Sequence, residues 1–199
     1  MINLIKINFL MLLTVFLFAC AGGEVKQQTF SSGVYDKNSY VDVDSGVNAD
    51  FNKAVELLRT EQYQQAITVL ESVIEREQRL PAPYVNVAMA YNELGNTTKA
   101  EENFISALKI DIGHPTANNE LGLLYRKAGK FNAARTAYQN AIKEHSDYLP
   151  AKRNLGVLCD LYLHDYKCAL EQYEDYLELQ PDDKTVAIWV SDVKQRIGN

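Results

Sequence analysis

The chain has 199 residues, of which 23% are charged and 47% hydrophobic, and its formal net charge is −6. A surface that binds nucleic acid needs clustered Lys and Arg, whereas the 20 basic residues here are scattered among 26 acidic ones. We therefore expect no nucleic-acid partner. An acidic surface is also repelled by anionic lipid. The ten glycines and five prolines are few, as in a folded helical domain.

A short apolar run lies near the start of the chain. Lys6 precedes the largely apolar residues 7–18, and residues 17–20 read Leu-Phe-Ala-Cys. About twelve apolar residues suit the central part of a secretory signal better than a spanning helix, which needs roughly 20. The ending resembles the lipobox of bacterial lipoproteins, whose cysteine is acylated and becomes the first mature residue. We expect a lipoprotein signal peptide over residues 1–19 and a palmitate-type anchor on Cys20.

The residue after that cysteine bears on location. Ala21, rather than aspartate, resembles the sorting pattern for the outer membrane. We therefore expect an outer-membrane lipoprotein that faces the periplasm, attached through its lipid. The alternative is an ordinary signal peptide, or an uncleaved anchor, in which Cys20 occurs by chance.

The next segment is polar and has no helical or alternating pattern long enough to bury a face. We expect residues 20–46 to be the lipidated cysteine and a flexible linker. The alternative is a short strand or a partner-docking motif, formed by Val34, Tyr35, Tyr40, Val41 and Val43.

The rest of the chain repeats with a period of 34 or 35 residues. Three positions of the repeat carry the pattern: a small residue, a bulky residue sixteen or seventeen positions later, and a second small residue four positions before the bulky one. The first small residues are Ala54, Ala88, Gly122 and Gly156, the second are Ala66, Ala100, Ala134 and Ala169, and the bulky ones are Leu70, Phe104, Tyr138 and Tyr173. Small residues let two antiparallel helices approach closely, and bulky ones fill the seam between helix pairs.

This arrangement resembles the tetratricopeptide repeat, or TPR. The third copy shows the signature most fully, in Leu121, Gly122, Tyr125, Gly129, Phe131, Ala134, Tyr138 and Ala141. The resemblance implies an all-α, right-handed α-α superhelix (a TPR solenoid) of about four helix pairs, over residues 47–80, 81–114, 115–148 and 149–181. A C-terminal capping helix over residues 182–199 would cover the open end, with Trp189 as its apolar anchor.

Apolar spacing and turn residues predict the helices. We expect the helix pairs to span residues 47–60 and 63–77, 82–94 and 97–110, 116–128 and 131–144, and 150–162 and 166–179. Pro81, Pro115 and Pro150 lie at or near helix starts, where a missing N–H costs nothing. Gly95 and Gly129 lie where a left-handed residue ends a first helix.

Two cysteines remain beyond Cys20. Cys159 and Cys168 are at the facing ends of two predicted antiparallel helices, and in an oxidising compartment we expect a disulfide between them. The alternative is two buried thiols. We do not expect a catalytic cysteine, because His164 is the only histidine nearby.

No pattern of residues indicates an enzyme. His114, His145 and His164 match no zinc spacing, and the sequence has no Gly-rich phosphate loop, serine elbow or His-Glu-x-x-His motif. We expect no catalytic residues, no metal and no cofactor.

In tetratricopeptide domains the first helix of each pair lines a concave groove, and the resemblance assigns partner binding to that face. The groove residues would be Phe51, Asn52, Val55, Val85, Asn86, Met89, Asn92, Asn119, Leu123, Arg126, Arg153, Asn154 and Val157. Asn amides can hold a peptide backbone, apolar side chains form pockets and Arg attracts carboxylate. The alternative is that these polar residues only solvate a wet face.

Two functions remain open. We expect a non-enzymatic, membrane-tethered scaffold that binds a peptide or protein partner in the bacterial envelope and aids assembly of a complex. In architecture the chain resembles short repeat lipoproteins that assist pilus secretins. The alternative is an accessory subunit of a cell-wall or polysaccharide enzyme, which would bind glycan or a synthase. Aromatic platforms in the groove would favour glycan, whereas Asn with apolar pockets favours peptide.

Overall fold

The computed structural model describes residues 42–198, and within that range every regular element is an α-helix. In chain order the helices are α1 (Ser45–Arg59), α2 (Tyr63–Arg76), α3 (Pro81–Glu93), α4 (Thr97–Ile110), α5 (Pro115–Lys127), α6 (Phe131–Lys143), α7 (Leu149–Leu161), α8 (Tyr166–Leu179) and α9 (Lys184–Gly198). The eight repeat helices begin and end within two residues of the ranges predicted above.

The helices stack as hairpins. Each odd-numbered helix packs most extensively against the helix that follows it, and each even-numbered helix packs against the next hairpin. The odd-numbered helices α1, α3, α5 and α7 also contact one another in succession, so they form one layer. The result is the predicted all-α superhelix: four hairpins with an inner layer of odd-numbered helices, an outer layer of even-numbered ones, and α9 packed against α8.

The repeated small and bulky residues form the core as predicted. Ala66, Ala100, Ala134 and Ala169 have no exposed surface, and the four bulky residues are at most 1% exposed. The core divides into a cluster that runs from Val43 to Leu124 and a second that runs from Ala134 to Val193.

The turns inside the four hairpins share one conformation. Gly95 and Gly129 have φ of 77° and 72°, and Glu61 and His164 adopt φ of 59° and 52° at the corresponding positions of the first and fourth copies. In the first three copies the amide of the residue after this turn residue donates a hydrogen bond to the carbonyl five residues before it, with N···O distances of 2.8 Å. In the fourth copy the bond spans six residues, from Asp165 to Cys159, and this accommodates the extra residue.

Prolines and polar side chains define the helix starts. Pro81, Pro115 and Pro150 occupy the first or second helical position of α3, α5 and α7. Asp44 accepts hydrogen bonds from the amides of Gly46 and Val47, so α1 begins two residues earlier than predicted. Val43, which the sequence placed in the linker, is only 8% exposed and belongs to the core.

Candidate functional site

The predicted groove residues divide into two sets by accessibility. Towards the N-terminal end, five of them, Phe51, Val55, Val85, Asn86 and Met89, are at most 6% exposed. Towards the C-terminal end, Leu123, Arg126, Asn154 and Val157 are partly exposed and Arg153 is exposed, whereas Asn119 is only 3% exposed. Asn52 is exposed and Asn92 is partly exposed. We call the accessible surface of α5 and α7 the C-terminal half-groove, defined by Leu123, Arg126, Arg153, Asn154 and Val157.

A pair of side-chain amides crosses from α7 to α5 in this half-groove. Asn154 Nδ2 donates to Asn119 Oδ1 over 2.9 Å, and Asn119 Nδ2 donates to Glu120 Oε1 over 2.9 Å. Among residues 42–198 no other side chain bonds to the Asn154 amide, so its carbonyl oxygen and second N–H can bind a peptide backbone. Burial raises the pKa of Glu120, although the hydrogen bond from Asn119 and the charge of Lys127 oppose that shift.

Two arginines contribute positive charge to the half-groove. The Arg126 guanidinium lies 5.7 Å from the centre of the Tyr162 ring, which orients it by cation–π attraction. Arg153 is exposed on α7, one residue before the paired Asn154. Because a guanidinium can bind a carboxylate through two parallel hydrogen bonds, this surface suits a ligand that carries a carboxylate near an apolar side chain.

The predicted cysteine pair lies beside the turn between α7 and α8. Cys159 and Cys168 form a disulfide that joins the end of α7 to the first turn of α8. Arg135 Nη2, on α6, donates to Asp165 Oδ2 over 2.8 Å and lies 3.8 Å from the Cys159 sulfur. The Asp165 carboxylate also accepts from the Cys168 amide, and these two hydrogen bonds lower the pKa of Asp165.

The same two sulfurs and a carboxylate oxygen of Asp165 lie within 4.8 Å of one another, close enough to share a metal ion. The sulfurs are bonded to each other in the disulfide, and only a thiolate ligates a metal. The arrangement is therefore a covalent link between two helices.

The last helix closes the stack as the sequence predicted. The Trp189 ring packs 5.4 Å from the ring of Tyr173, and Asp183 accepts from two amides at the start of α9. A contact that sequence reasoning missed also holds α9: the Arg196 guanidinium forks onto the buried carboxylate of Asp160, with N···O distances of 2.7 and 3.3 Å. No feature of the local sequence predicts this ion pair, because 36 residues separate the two partners.

A second ion pair was also missed. Lys152 is only 7% exposed on α7, and its Nζ donates to Asp175 Oδ2 of α8 over 2.8 Å. Its role is to join the helices of the fourth hairpin, since so little of it is accessible to a partner.

Some predictions fall on other parts of the chain. Residues 1–19, Cys20 and most of the proposed linker lie outside the described residues. Between residues 42 and 198, none of the helices combines the length and the apolar content that crossing a bilayer requires.

The stacked hairpins define an α-helical solenoid, a class of protein that binds partners on extended surfaces. Two family models, both described as the tetratricopeptide repeat, match residues 119–183 and 82–111. The chain therefore contains tetratricopeptide repeats over these residues. Proteins of this family mediate protein–protein interaction and assembly, and their scaffold is generally non-catalytic.

Relatives support the fold over parts of their length. Tetratricopeptide repeat protein 16 of Homo sapiens is 31% identical over 88 residues, which cover 44% of this chain and 10% of that protein. Photosystem I assembly protein Ycf3 of Prochlorococcus marinus is 27% identical over 100 residues, half of each chain. The chain thus spans between about a tenth and a half of these curated relatives.

Solved structures extend the likeness over most of the described residues. The structure of Pseudomonas aeruginosa PilF is similar with a TM-score of 0.67 and 19% identity, over 75% of this chain and 69% of that one. A crystal structure of MamA is similar with a TM-score of 0.66 and 18% identity, over 76% and 82%. At these identities the likeness concerns the fold alone.

Proposed function

We propose that this protein is a non-enzymatic scaffold, tethered to the bacterial outer membrane through lipid on Cys20, that binds a peptide or protein partner in the periplasm and aids assembly of an envelope complex. The observation that carries the proposal is the C-terminal half-groove, where a side-chain amide with free hydrogen-bonding groups lies between apolar and cationic side chains. The lipobox-like sequence at residues 17–20 supports the location.

The chemistry of the half-groove favours an extended peptide with an acidic group. Asn154 can bind a peptide N–H and C=O together, Leu123 and Val157 offer apolar contact, and Arg153 attracts a carboxylate. Electrostatic attraction of this kind mainly sets specificity and association rate, so replacing the exposed arginine should weaken binding without disturbing the core.

The test is in-cell crosslinking of the full chain in intact envelopes, followed by purification and mass spectrometry. Arg153→Glu should lose the partner that the wild type captures in stoichiometric amount. Lys143→Glu makes the same change of charge at an exposed position on the outer-layer helix α6, and should retain it. Equal capture by both variants would contradict binding in the half-groove.

The anchor and the absence of catalysis have their own tests. Labelled palmitate should enter the wild type and not Cys20→Ser, so incorporation that persists in the variant would contradict the lipid assignment. Hydrolysis of cell-wall material by the purified protein would contradict a purely binding function.

A further inference from the structure

The Cys159–Cys168 disulfide is accessible at one of its two sulfurs. Cys159 has no exposed surface, whereas Cys168, in the first turn of α8, is partly exposed. Thiol–disulfide exchange begins when a thiolate attacks one sulfur of the disulfide, and the electron pair of the S–S bond then leaves on the other sulfur. An external thiolate can therefore attack Cys168, and Cys159 is the leaving group.

A guanidinium lies beside this leaving group. Arg135 Nη2 is 3.8 Å from the Cys159 sulfur, and the same nitrogen donates to Asp165 Oδ2. The buried Nε of Arg135 has no hydrogen-bond partner among residues 42–198, so the guanidinium has an unused donor. A positive charge within about 4–6 Å of a sulfur favours the thiolate over the thiol.

The preceding repeat has an equivalent contact with the opposite charge. The positions 34 residues before Cys159 and Arg135 hold Tyr125 and Glu101. Burial and the neighbouring Glu101 carboxylate both raise the pKa of the Tyr125 hydroxyl, so this phenol stays neutral. A carboxylate at this position would repel a thiolate in the same way. The fourth copy thus has a cation in place of the anion where it has sulfur in place of the phenol.

The ion pair at this position is reversed as well. Lys130, which precedes α6, pairs with Glu101 of α4, and Asp165, which precedes α8, pairs with Arg135 of α6. The two ion pairs join equivalent positions of successive hairpins with the signs of charge exchanged. A disulfide is neutral and gains no charge stabilisation from Arg135, whereas a Cys159 thiolate does.

We propose that the Cys159–Cys168 disulfide is a thiol–disulfide exchange site, which a dithiol reductant opens by attack on Cys168. One thiolate of the reductant bonds to the Cys168 sulfur, the S–S bond breaks, and its electron pair passes to Cys159 beside Arg135. The second thiol of the reductant, once deprotonated, attacks the reductant's own sulfur in the mixed disulfide and releases Cys168 as a thiolate. The reductant loses two electrons and becomes a disulfide, and the chain gains them as two thiolates.

The position of Cys159 favours a dithiol over a monothiol as the reductant. After the first step the Cys159 thiolate stays close to the mixed disulfide, because a single turn joins the two helices. It can attack Cys168 again and expel a monothiol, and an intramolecular step of this kind has a high effective concentration. A dithiol competes with this reversal because its second thiol also reacts within the same complex.

The exchange goes beyond the proposed function and does not depend on it, since no residue of the C-terminal half-groove reacts. It would nevertheless release the covalent link across the turn between α7 and α8. That turn carries Tyr162, whose ring packs against Phe131 and lies beneath the Arg126 guanidinium.

The first test measures how fast dithiothreitol reduces the disulfide in the folded full chain, by quenching with iodoacetamide and mass spectrometry. Arg135→Met should slow reduction about tenfold, because it removes the charge that favours the leaving thiolate. Asp165→Asn should accelerate reduction, because the carboxylate lies within 4.8 Å of both sulfurs and opposes a thiolate. The matched control Lys143→Met removes a positive charge at an exposed position further along α6 and should leave the rate unchanged.

The two variants separate the effect of charge from that of structural support. Both break the same ion pair, so looser packing alone would change the rate in the same direction in both. The proposal requires opposite directions. A rate in Arg135→Met that equals or exceeds the wild-type rate would overturn it, as would slower reduction in both variants.

A second measurement uses the wild type and locates the sulfur that is attacked. Glutathione is added to the folded chain, and free thiolates are trapped at once with excess iodoacetamide. Mass spectrometry should find glutathione on Cys168 and the carbamidomethyl group on Cys159. Glutathione on Cys159, or a disulfide that resists both reagents until the chain unfolds, would overturn the proposal. Net reduction by glutathione as fast as by dithiothreitol, at equal thiol concentration, would contradict the requirement for a dithiol.

Discussion

The substitution Gly122→Ala tests how closely the helices of the third hairpin approach. A Cβ at Gly122 would lie 2.5 Å from Cε1 and 2.7 Å from Cδ1 of Tyr138, well inside the separation of about 3.5–4.0 Å at which carbon atoms pack. The Tyr138 ring has no exposed surface, so it cannot swing into solvent. We expect overpacking near the upper end of the usual range, about 3 kcal/mol.

A gain in helix propensity offsets part of this cost. Gly122 lies in the middle of α5, where Ala is favoured over Gly by about 1 kcal/mol. The net loss in the free energy of unfolding should therefore be about 2 kcal/mol, measured by urea denaturation. A larger side chain at this position would overlap the Tyr138 ring further, so Gly122→Val should lower the stability more than Gly122→Ala.

The chain contains its own control for this reasoning. The equivalent positions in the first two copies hold Ala54 and Ala88, and the bulky residues opposite them are Leu70 and Phe104, which lack a hydroxyl. Among the four copies, glycine therefore occupies this position only where the bulky residue opposite it is tyrosine. The Tyr138 hydroxyl is buried without a hydrogen-bond partner among the described residues, so Tyr138→Phe alone should be neutral or stabilising.

The double variant Gly122→Ala/Tyr138→Phe reproduces the pair found in the second copy, and the ring, freed of its hydroxyl, can shift away from the new Cβ. We expect it to recover most of the loss, with a coupling free energy of at least about 1 kcal/mol. Additive effects of the two changes, or an unchanged stability of Gly122→Ala, would refute the account of close packing.

Three further predictions concern contacts of the C-terminal hairpins. Reduction of the Cys159–Cys168 disulfide, which closes a short loop, should lower the free energy of unfolding by about 2–3 kcal/mol; an unchanged urea midpoint would contradict this. Arg196→Met should leave the buried Asp160 carboxylate without its guanidinium partner and so lower the melting temperature by several degrees. As α9 detaches, the emission of Trp189 should shift to longer wavelength. Unaltered emission would contradict a stabilising role for the ion pair. The pKa of Asp165 is lowered in the folded state, so its carboxylate stabilises the fold above its unfolded pKa of about 4, and this stabilisation is lost as the pH falls through the folded pKa. The difference in the free energy of unfolding between wild type and Asp165→Asn should therefore shrink below about pH 4. A difference that stays constant with pH would refute this prediction.

Local sequence features predicted most of the fold. The helix ends follow from prolines, left-handed glycines and capping side chains, whose effects act within a few residues, and so their predicted positions agree with the structure within two residues. The hairpins follow from a period that repeats the same small and bulky residues in four copies. Cys159 and Cys168 were also placed correctly opposite each other, because a single turn separates the helices that carry them.

The candidate site could be predicted only in part. The resemblance assigned thirteen positions to the groove and treated them alike, whereas Val85 and Met89 are buried and Arg153 is exposed. Accessibility depends on what covers a face from elsewhere in the chain, and a periodic pattern carries no information about that.

The amino-acid sequence by itself determined the helices, their pairing and the residues of each seam, since all of these depend on neighbours one repeat away or less. Only the tertiary structure decided which part of the groove is open, why Gly122 must lack a side chain opposite Tyr138, and that Arg196 reaches Asp160. The physical reason is that burial and ion pairing depend on the positions of atoms from several helices at once, and stacking brings together residues that the repeat period does not relate.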